Sequence, residues 1–389
     1  MRWKPPNLGI TSITSEAVSP GHPNKLADTV ADAVLDACLG QDRSSRVACH
    51  VTITDRQVLV AGEIASRHRV EDHLSDLFTT VANDAGYRDP IWGFDVGNCD
   101  VQATLNQDTV PSSGTTNQGV VFGYACAENR ELLPLPVLLS QRLMQCHAAV
   151  VRSHKLPWLG PAAQTQVSVI YQDNRARAID RVVFIAQHQE NVSLEQMHDE
   201  VMQNIIAPIL PVSLCDLKTQ YRINPAGPNT LGGPAIHTGH SGHGSPVDTY
   251  GSTCPQGGGF SGKDPTHSAR CGAYMARYLA KHIVGAGIAC RCTVQLVYAP
   301  GSIEPVSVFL DTHDSSPLDP DRLTTLIKEQ FDLSIPGIIR SLSLDRPIYR
   351  PTATFGHFGH LDAGYTWERL DRVTELRRVC NLTSNVSQR

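Results

Sequence analysis

The 389-residue chain lacks several features that would place it in a broad class of proteins. It has no apolar run long enough to span a bilayer and no signal-peptide pattern, so we expect neither a membrane protein nor a secreted one. Its net charge of −5 is spread evenly, and no basic patch predicts a nucleic-acid partner. Its eleven cysteines are odd in number and include no CxxC pair. We therefore expect free thiols and a cytoplasmic location.

The length of the chain is sufficient for two or three domains. Apolar periodicity predicts strands alternating with helices, followed by an irregular end after residue 331. A long segment rich in Gly, Pro, His and Ser covers residues 224–265, and a loop of this length in a compact enzyme is usually functional. The pattern predicts an α+β protein with more than one domain. The main predicted elements are strands over 46–54, 57–64 and 95–105, and helices over 70–85, 131–151, 193–209, 269–284 and 319–331.

The stretch 15–28 (SEAVSPGHPNKLAD) connects a strand-like run to a helix. Pro23 suits the first position of that helix, which we predict to continue to about residue 39. His22 and Lys25 at a helix N-terminus are a natural place to hold an anion or a polar ligand. A capped helix with a solvated His and Lys is the alternative interpretation of the same residues.

Residues 21–25 (GHPNK) resemble the GHPDK nucleotide-binding motif of the S-adenosylmethionine synthetases, also called methionine adenosyltransferases. Further resemblances follow in order along the chain: AGEI at 61–64, NQGVVFGYA at 117–125, GGGFSGKDP at 257–265, and the segment 349–357. On these motifs the chain is identified as a member of that family.

The resemblance implies an α+β fold of three similar domains, each with a sheet and helices, related by a pseudo-threefold. Placed on this chain, the domains would cover residues 11–110, 115–231 and 232–372. Family members form tight homodimers with two active sites at the interface. They join methionine to ATP, displace the triphosphate and then cleave it.

The resemblance also implies a set of site residues. His22 and Lys25 stand where the family contacts the nucleotide, and Glu63 and Gln107 where it holds the amino-acid substrate. Glu16 is either a nucleotide or interface contact or a solvated carboxylate. The full prediction is catalytic His22, Lys25, Lys263 and Glu63, with substrate-binding Glu16, Gln107, Asn117, Phe260, Ser261, Asp264 and His267.

Other positions depart from the family pattern, mostly where the family binds metal and phosphate. Asn24 and Ala269 replace two Mg²⁺-binding aspartates, and His50 replaces a Glu associated with a monovalent cation. The Mg²⁺ and K⁺ sites are therefore expected to be degraded, and no metal ligands are predicted. Family cations and charges are also replaced at Gln164, His237, His243, Gly244 and His267, and the loop between Gln107 and Asn117 is shorter.

A charge-assisted hydrogen bond contributes roughly 1.5–3 kcal/mol, so losing four or five would cost about 6–15 kcal/mol of phosphate binding. We therefore expect a site that does not hold a triphosphate but keeps a place for S-adenosylmethionine, with hydrolysis, elimination or internal displacement at a C–S bond. One alternative is residual methionine adenosyltransferase activity, with His237, His243 and His267 replacing lost cations. Another is a non-catalytic paralogue that binds an active synthetase. The spacing of His237, His240 and His243 also permits a zinc site, although surface histidines are the commoner explanation.

Overall fold

The computed structural model describes residues 9–106, 115 and 117–380, which form a mixed α/β structure. Its strands in chain order are β1 (Ile10–Val18), β2 (Arg46–Ile53), β3 (Gln57–Ala65), β4 (Asp100–Asn106), β5 (Gly119–Cys126), β6 (Leu159–Gln172), β7 (Arg175–His188), β8 (Gln220–Ile223), β9 (Gly239–His240), β10 (Arg291–Tyr298) and β11 (Ser307–Asp311). Its α-helices are α1 (Pro23–Gln41), α2 (Leu74–Ala85), α3 (Leu135–Arg152), α4 (Leu194–Val201), α5 (Ser245–Asp248), α6 (Ser268–Gly285), α7 (Pro320–Gln330), α8 (Ile335–Leu342) and α9 (Val373–Val379). The predicted α+β fold class is confirmed.

The strands form three sheets, in the orders β1-β6-β7-β8, β4-β3-β2-β9 and β11-β10-β5. In each sheet, at least one strand pairs with a strand that is distant from it in the sequence. Strand β1 pairs with β6 over its whole length, β9 pairs with β2, and β5 pairs with β10. The sheets therefore connect the three predicted segments 11–110, 115–231 and 232–372, whose boundaries stay a prediction.

Helix α1 lies at the centre of the fold and is buried on most of its surface. Three aspartates one turn apart each accept a hydrogen bond from the backbone N–H of a distant loop. These bonds fix the loops around the helix, so the acidic row is a scaffold rather than a solvated face. The pairs are Asp28 with Gly242 at 2.7 Å, Asp32 with Gly262 at 2.7 Å, and Asp36 with Tyr349 at 2.9 Å.

Several predicted elements differ from the observed ones. The helix expected over 193–209 is interrupted, because α4 ends at Val201 and a π-helical turn follows over Met202–Ile206. The segment expected to be a strand from 95 begins with a 3₁₀ turn, and β4 starts only at Asp100. The prediction of an irregular end after residue 331 was wrong, because α8 and α9 lie in that part of the chain. Short apolar patterns of seven or eight residues are too brief for periodicity to identify.

All eleven cysteines are free, as the sequence predicted. Within the described ranges, no helix combines the length and apolar character that crossing a bilayer requires. Two apolar clusters form the core. The smaller is built around β6, β7, α3 and α4, and the larger contains α1, α6 and the other two sheets.

Candidate active site

His22 lies between two adjoining cavities at the N-terminus of α1, which we call the His22 cavities. The first has a volume of about 310 Å³ and the second about 360 Å³. Both are lined by His22, Gln164 and Ile185, so they meet at the histidine. Glu16, Asn24, Lys25 and His243 line the first, and Asn229, Gly233 and His237 the second.

The turn before α1 fixes the orientation of His22. Its Nδ1 accepts a hydrogen bond from the backbone N–H of Asn24 at 3.3 Å and so caps the helix. Burial lowers the pKa of His22 to about 4, and Lys25 and His237 act in the same direction. The imidazole is therefore neutral near pH 7, with its proton on Nε2, where it can donate to a ligand.

Lys25 is fully committed to contacts within the protein. Its Nζ lies 2.5 Å from Asp248 Oδ1 and 3.0 Å from Asp28 Oδ2, and it donates to the Ala353 carbonyl at 3.0 Å. Burial opposes its charge, but the two carboxylates outweigh burial and raise the pKa of Lys25. The ammonium donates one hydrogen bond to the Ala353 carbonyl, and the two carboxylates compensate its charge as ion pairs. These contacts favour an internal ion-pair role for Lys25, and its catalytic role stays a prediction.

The remaining lining of the His22 cavities has little positive charge. Glu16 is exposed and accepts a hydrogen bond from Gln166 at 3.3 Å. Gln164 is exposed on β6, at a position where the resemblance implies a lysine. Lys25 is the only lysine or arginine among the described residues that line the two cavities.

Other predicted site residues form a second group on the sheet that contains β2 and β3. Lys263 bridges to Ala48 of β2, and Ala48 is directly opposite Glu63 of β3. Opposed residues point to the same side of a sheet, so Glu63 and Lys263 flank Ala48 on one face. Burial, followed by Arg270, lowers the pKa of Lys263, and its Nζ donates to the Gly259 carbonyl at 2.6 Å.

The start of α6 places Asn117, His267 and Asp264 next to one another. Asn117 Nδ2 lies 3.2 Å from His267 Nδ1, and His267 Nε2 lies 3.7 Å from an Asp264 oxygen. Burial lowers the pKa of His267. The Asp264 carboxylate accepts from the backbone of Val47 at 2.8 Å and from Thr266, so it fixes the loop to β2.

Phe260 and Ser261, predicted as substrate contacts, are buried. The Phe260 ring packs against His357, with centroids 4.3 Å apart, and against Tyr274. This placement favours a core role for Phe260, and its substrate contact stays a prediction. Gln107 lies outside the described residues.

The sequence reasoning missed two contributions to the His22 cavities. Asp248 pairs with Lys25, and no local sequence pattern indicated that partner. Gln166, Val183 and Ile185 line the cavity from β6 and β7. These residues alternate with buried neighbours, as in a strand with one buried and one accessible face. This alternation is the sequence pattern from which their position could have been predicted.

The residues at the positions where the resemblance implies metal ligands offer few donors to a metal ion, and the loss of the Mg²⁺ and K⁺ sites stays a prediction. Magnesium prefers carboxylate oxygens in octahedral geometry. Asn24 offers an amide oxygen that already accepts from the His240 backbone at 3.0 Å, and Ala269 offers no donor. The His50 side chain is partly accessible to solvent, and its partial burial, followed by nearby Lys263, lowers its pKa. Across residues 9–106, 115 and 117–380, no cluster of three or more His, Cys, Asp or Glu side chains suits a metal ion.

Comparison with known proteins bears on the origin of this site. Models of the N-terminal, central and C-terminal domains of S-adenosylmethionine synthetase match residues 11–110, 112–229 and 231–369. A protein named S-adenosylmethionine synthase from Sulfurovum sp. (strain NBC37-1) is 39% identical over 381 residues, which cover 95% of this chain and 98% of that protein. The chain therefore belongs to the S-adenosylmethionine synthetase family.

Proposed function

We propose that this chain is an enzyme that acts on S-adenosylmethionine or a closely related adenosyl-sulfonium, and cleaves a C–S bond without hydrolysing a triphosphate. The observation that carries the proposal is the charge of the His22 cavities. Lys25, the one lysine among the described residues that line them, is paired with Asp28 and Asp248, and burial lowers the pKa of His22 to about 4.

The charge balance favours a cationic ligand over a polyanion. A triphosphate carries about four negative charges, and an unpaired charge in a partly buried site is strongly disfavoured. S-adenosylmethionine has a sulfonium, an ammonium and one carboxylate, and no phosphate. The exposed Glu16 carboxylate on the wall of the first cavity is compatible with its positive charge. We accordingly propose that neither Mg²⁺ nor K⁺ takes part.

Cleavage of the sulfonium requires only modest help from the protein. When the C–S bond breaks, its electron pair stays on sulfur, and the leaving group is a neutral thioether. The carbon is attacked by water in hydrolysis or by the carboxylate of the substrate in internal displacement. In elimination, a base removes a proton from the adjacent carbon. His22 can orient the ligand through its Nε2–H, while Glu63 is an available carboxylate base.

We further propose that a homodimer completes the active site. Two separate parts of the chain carry the predicted residues: His22, Lys25 and Glu16 at one, and Glu63, Lys263 and His267 at the other. A second copy could bring the two groups together. Exposed apolar side chains on the second and third sheets support an interface: Leu59 is 39% exposed, Val120 47% and Phe309 55%. A cytoplasmic location remains part of this proposal.

The test is incubation of the purified full-length protein with S-adenosylmethionine, followed by mass spectrometry. Hydrolysis at C5′ yields methionine and adenosine, and internal displacement yields a lactone and methylthioadenosine. Elimination yields an alkene and a thioether. Replacement of His22 by Asn keeps a helix cap but shortens the donor, and should lower turnover. Absence of any product, or of any dependence on His22, contradicts the proposal.

Residual methionine adenosyltransferase activity is the second candidate. The 39% identity to a protein named S-adenosylmethionine synthase and the presence of His237 and His243 at the His22 cavities support it. It predicts phosphate release that requires both ATP and methionine and rises as the pH falls below about 7, because protonated imidazoles then supply charge. A protein inactive in both assays that co-purifies with an active synthetase would instead be a non-catalytic partner.

A further inference from the structure

The hydroxyl of Tyr87 lies against the turn that leads into α1. Tyr87 follows the end of α2 and is 2% exposed, and its hydroxyl donates a hydrogen bond to the Gly21 carbonyl at 2.6 Å. Gly21 directly precedes His22 in the chain. Burial raises the pKa of Tyr87, so the phenol keeps its proton and remains a donor. A neutral donor is therefore bonded to the residue that precedes the histidine of the His22 cavities.

The Gly21 carbonyl and the N–H of His22 belong to one peptide unit, and both are hydrogen-bonded. The His22 N–H donates to the Ser19 carbonyl at 3.0 Å, while Tyr87 donates to the carbonyl at the opposite side of the unit. Because a peptide unit is planar, bonds at its two opposite sides fix its orientation. Tyr87 therefore determines how this unit enters His22.

The peptide unit that follows His22 is also fixed. The His22 carbonyl accepts from the Leu26 N–H at 2.9 Å, as the first hydrogen bond of α1. With the units on both sides held, the backbone angles of His22 are set at φ −65° and ψ 136°. These angles direct the Cβ, and its Nδ1 then accepts from the Asn24 N–H at 3.3 Å. The position of the imidazole thus depends on the orientation of the unit that Tyr87 holds.

The same hydroxyl also borders another part of the second His22 cavity. A Cβ added at Gly233 would collide with the Tyr87 hydroxyl oxygen, so the Gly233 backbone packs directly on it. Gly233 has a φ of 64°, a region that favours glycine. Gly233 and His22 both line the second cavity, although they are distant in the sequence. Tyr87 therefore contacts two segments that form this cavity.

We propose that Tyr87 is a positioning residue of the active site, whose hydroxyl fixes the Gly21–His22 peptide unit and so holds the His22 imidazole between the two His22 cavities. Tyr87 is not among the described residues that line either cavity, so it acts through His22. Without the hydroxyl, the buried Gly21 carbonyl loses this partner and the unit can rotate. This role rests on the proposed function only for the substrate that His22 contacts.

Tyr87→Phe removes the hydroxyl and keeps the ring, which packs edge-on against Phe94 with centroids 5.2 Å apart. Tyr298→Phe is the matched control. Tyr298 lies on β10, is 1% exposed and donates to the Leu333 carbonyl at 2.8 Å. Each variant loses one bond from a buried phenol to a backbone carbonyl, so the two should show similar decreases in Tm. Only Tyr87→Phe should alter His22.

The first measurement needs no substrate. The full-length proteins are treated with diethyl pyrocarbonate near pH 7, and the rate of modification of His22 is followed by peptide mass spectrometry. We expect this rate to rise about fivefold in Tyr87→Phe, the factor that corresponds to one hydrogen bond, and to keep its wild-type value in Tyr298→Phe. An unchanged or lower rate in Tyr87→Phe overturns the proposal, and so does an equal rise in both variants.

The second measurement is the turnover of S-adenosylmethionine by the same three proteins. Tyr87→Phe should lower kcat/KM about fivefold, because its His22 is no longer held in one orientation, whereas Tyr298→Phe should match wild type. Wild-type turnover in Tyr87→Phe overturns the positioning role and leaves the proposed function intact. If wild type itself forms no product, the proposed function fails, and the modification rates of His22 still decide the role of Tyr87.

Discussion

Replacement of Lys25 by Met tests whether this residue is a structural ion-pair partner. Its ammonium is 3.0 Å or less from Asp28, Asp248 and the Ala353 carbonyl, and the side chains of the ion pairs are at most 7% exposed. Removal of one partner of a buried ion pair typically costs about 3–5 kcal/mol, because charge is left uncompensated. We expect Lys25→Met to lower the free energy of unfolding by that amount.

The thermal shift follows from the size of the chain. Unfolding entropy is about 2.1 cal/mol/K per residue. For 389 residues unfolding as one unit, each kcal/mol corresponds to about 1.2 °C in Tm. The expected decrease for Lys25→Met is therefore roughly 4–6 °C, measured by scanning calorimetry at fixed protein concentration. Lys263→Met is the control, since Lys263 is half-buried and donates only to a carbonyl, so its loss should be about 1 kcal/mol.

The pH dependence gives a second signature. Burial raises the pKa of Asp248, and Lys25 opposes that rise. Without the Lys25 ammonium the pKa of Asp248 rises further, so Lys25→Met loses stability as the pH increases through the pKa of Asp248. Acidification protonates the carboxylate, and the difference between wild type and variant should then narrow. Adding Asp248→Asn should restore part of the loss. A Lys25→Met protein as stable as Lys263→Met, at every pH, would refute the buried-pair interpretation.

Three further predictions follow from the structure. Gly123→Ala should lower the free energy of unfolding by at least about 1–3 kcal/mol, because the added Cβ would collide with the Ala276 backbone. Gly258→Ala is the control: no atom lies within 4 Å of a Cβ added there, so its Tm should equal that of wild type. Gln164→Lys should strengthen ATP binding about tenfold or more by calorimetry, through a new charged contact; unchanged affinity would show that this wall does not face phosphate. Burial lowers the pKa of His22 to about 4, so the stability contributed by its neutral form is complete above about pH 6.5 and is lost as the pH falls towards 4. The free energy of unfolding should therefore fall less steeply with acidification in His22→Asn than in wild type. Equal slopes for the two proteins would exclude a contribution of His22 to acid stability.

The amino-acid sequence determined the local elements and the family. Pro23 marked the first residue of α1, and the alternating apolar residues gave β2 and β3 nearly to the residue. Such features depend on neighbours within a few positions, which a sequence displays directly. The ordered motifs from 21–25 to 349–357 identified the family for the same reason, because each is a short local pattern.

The tertiary structure decided how the charges of the site are used. Lys25 had the residue type and motif position of a catalytic cation, but folding places Asp248 and Asp28 on its ammonium. The pairing of β1 with β6 forms a wall of the His22 cavities, and no local pattern indicated that pairing. The charge state of a side chain depends on burial and on partners distant in sequence, so residue type and spacing alone cannot determine it.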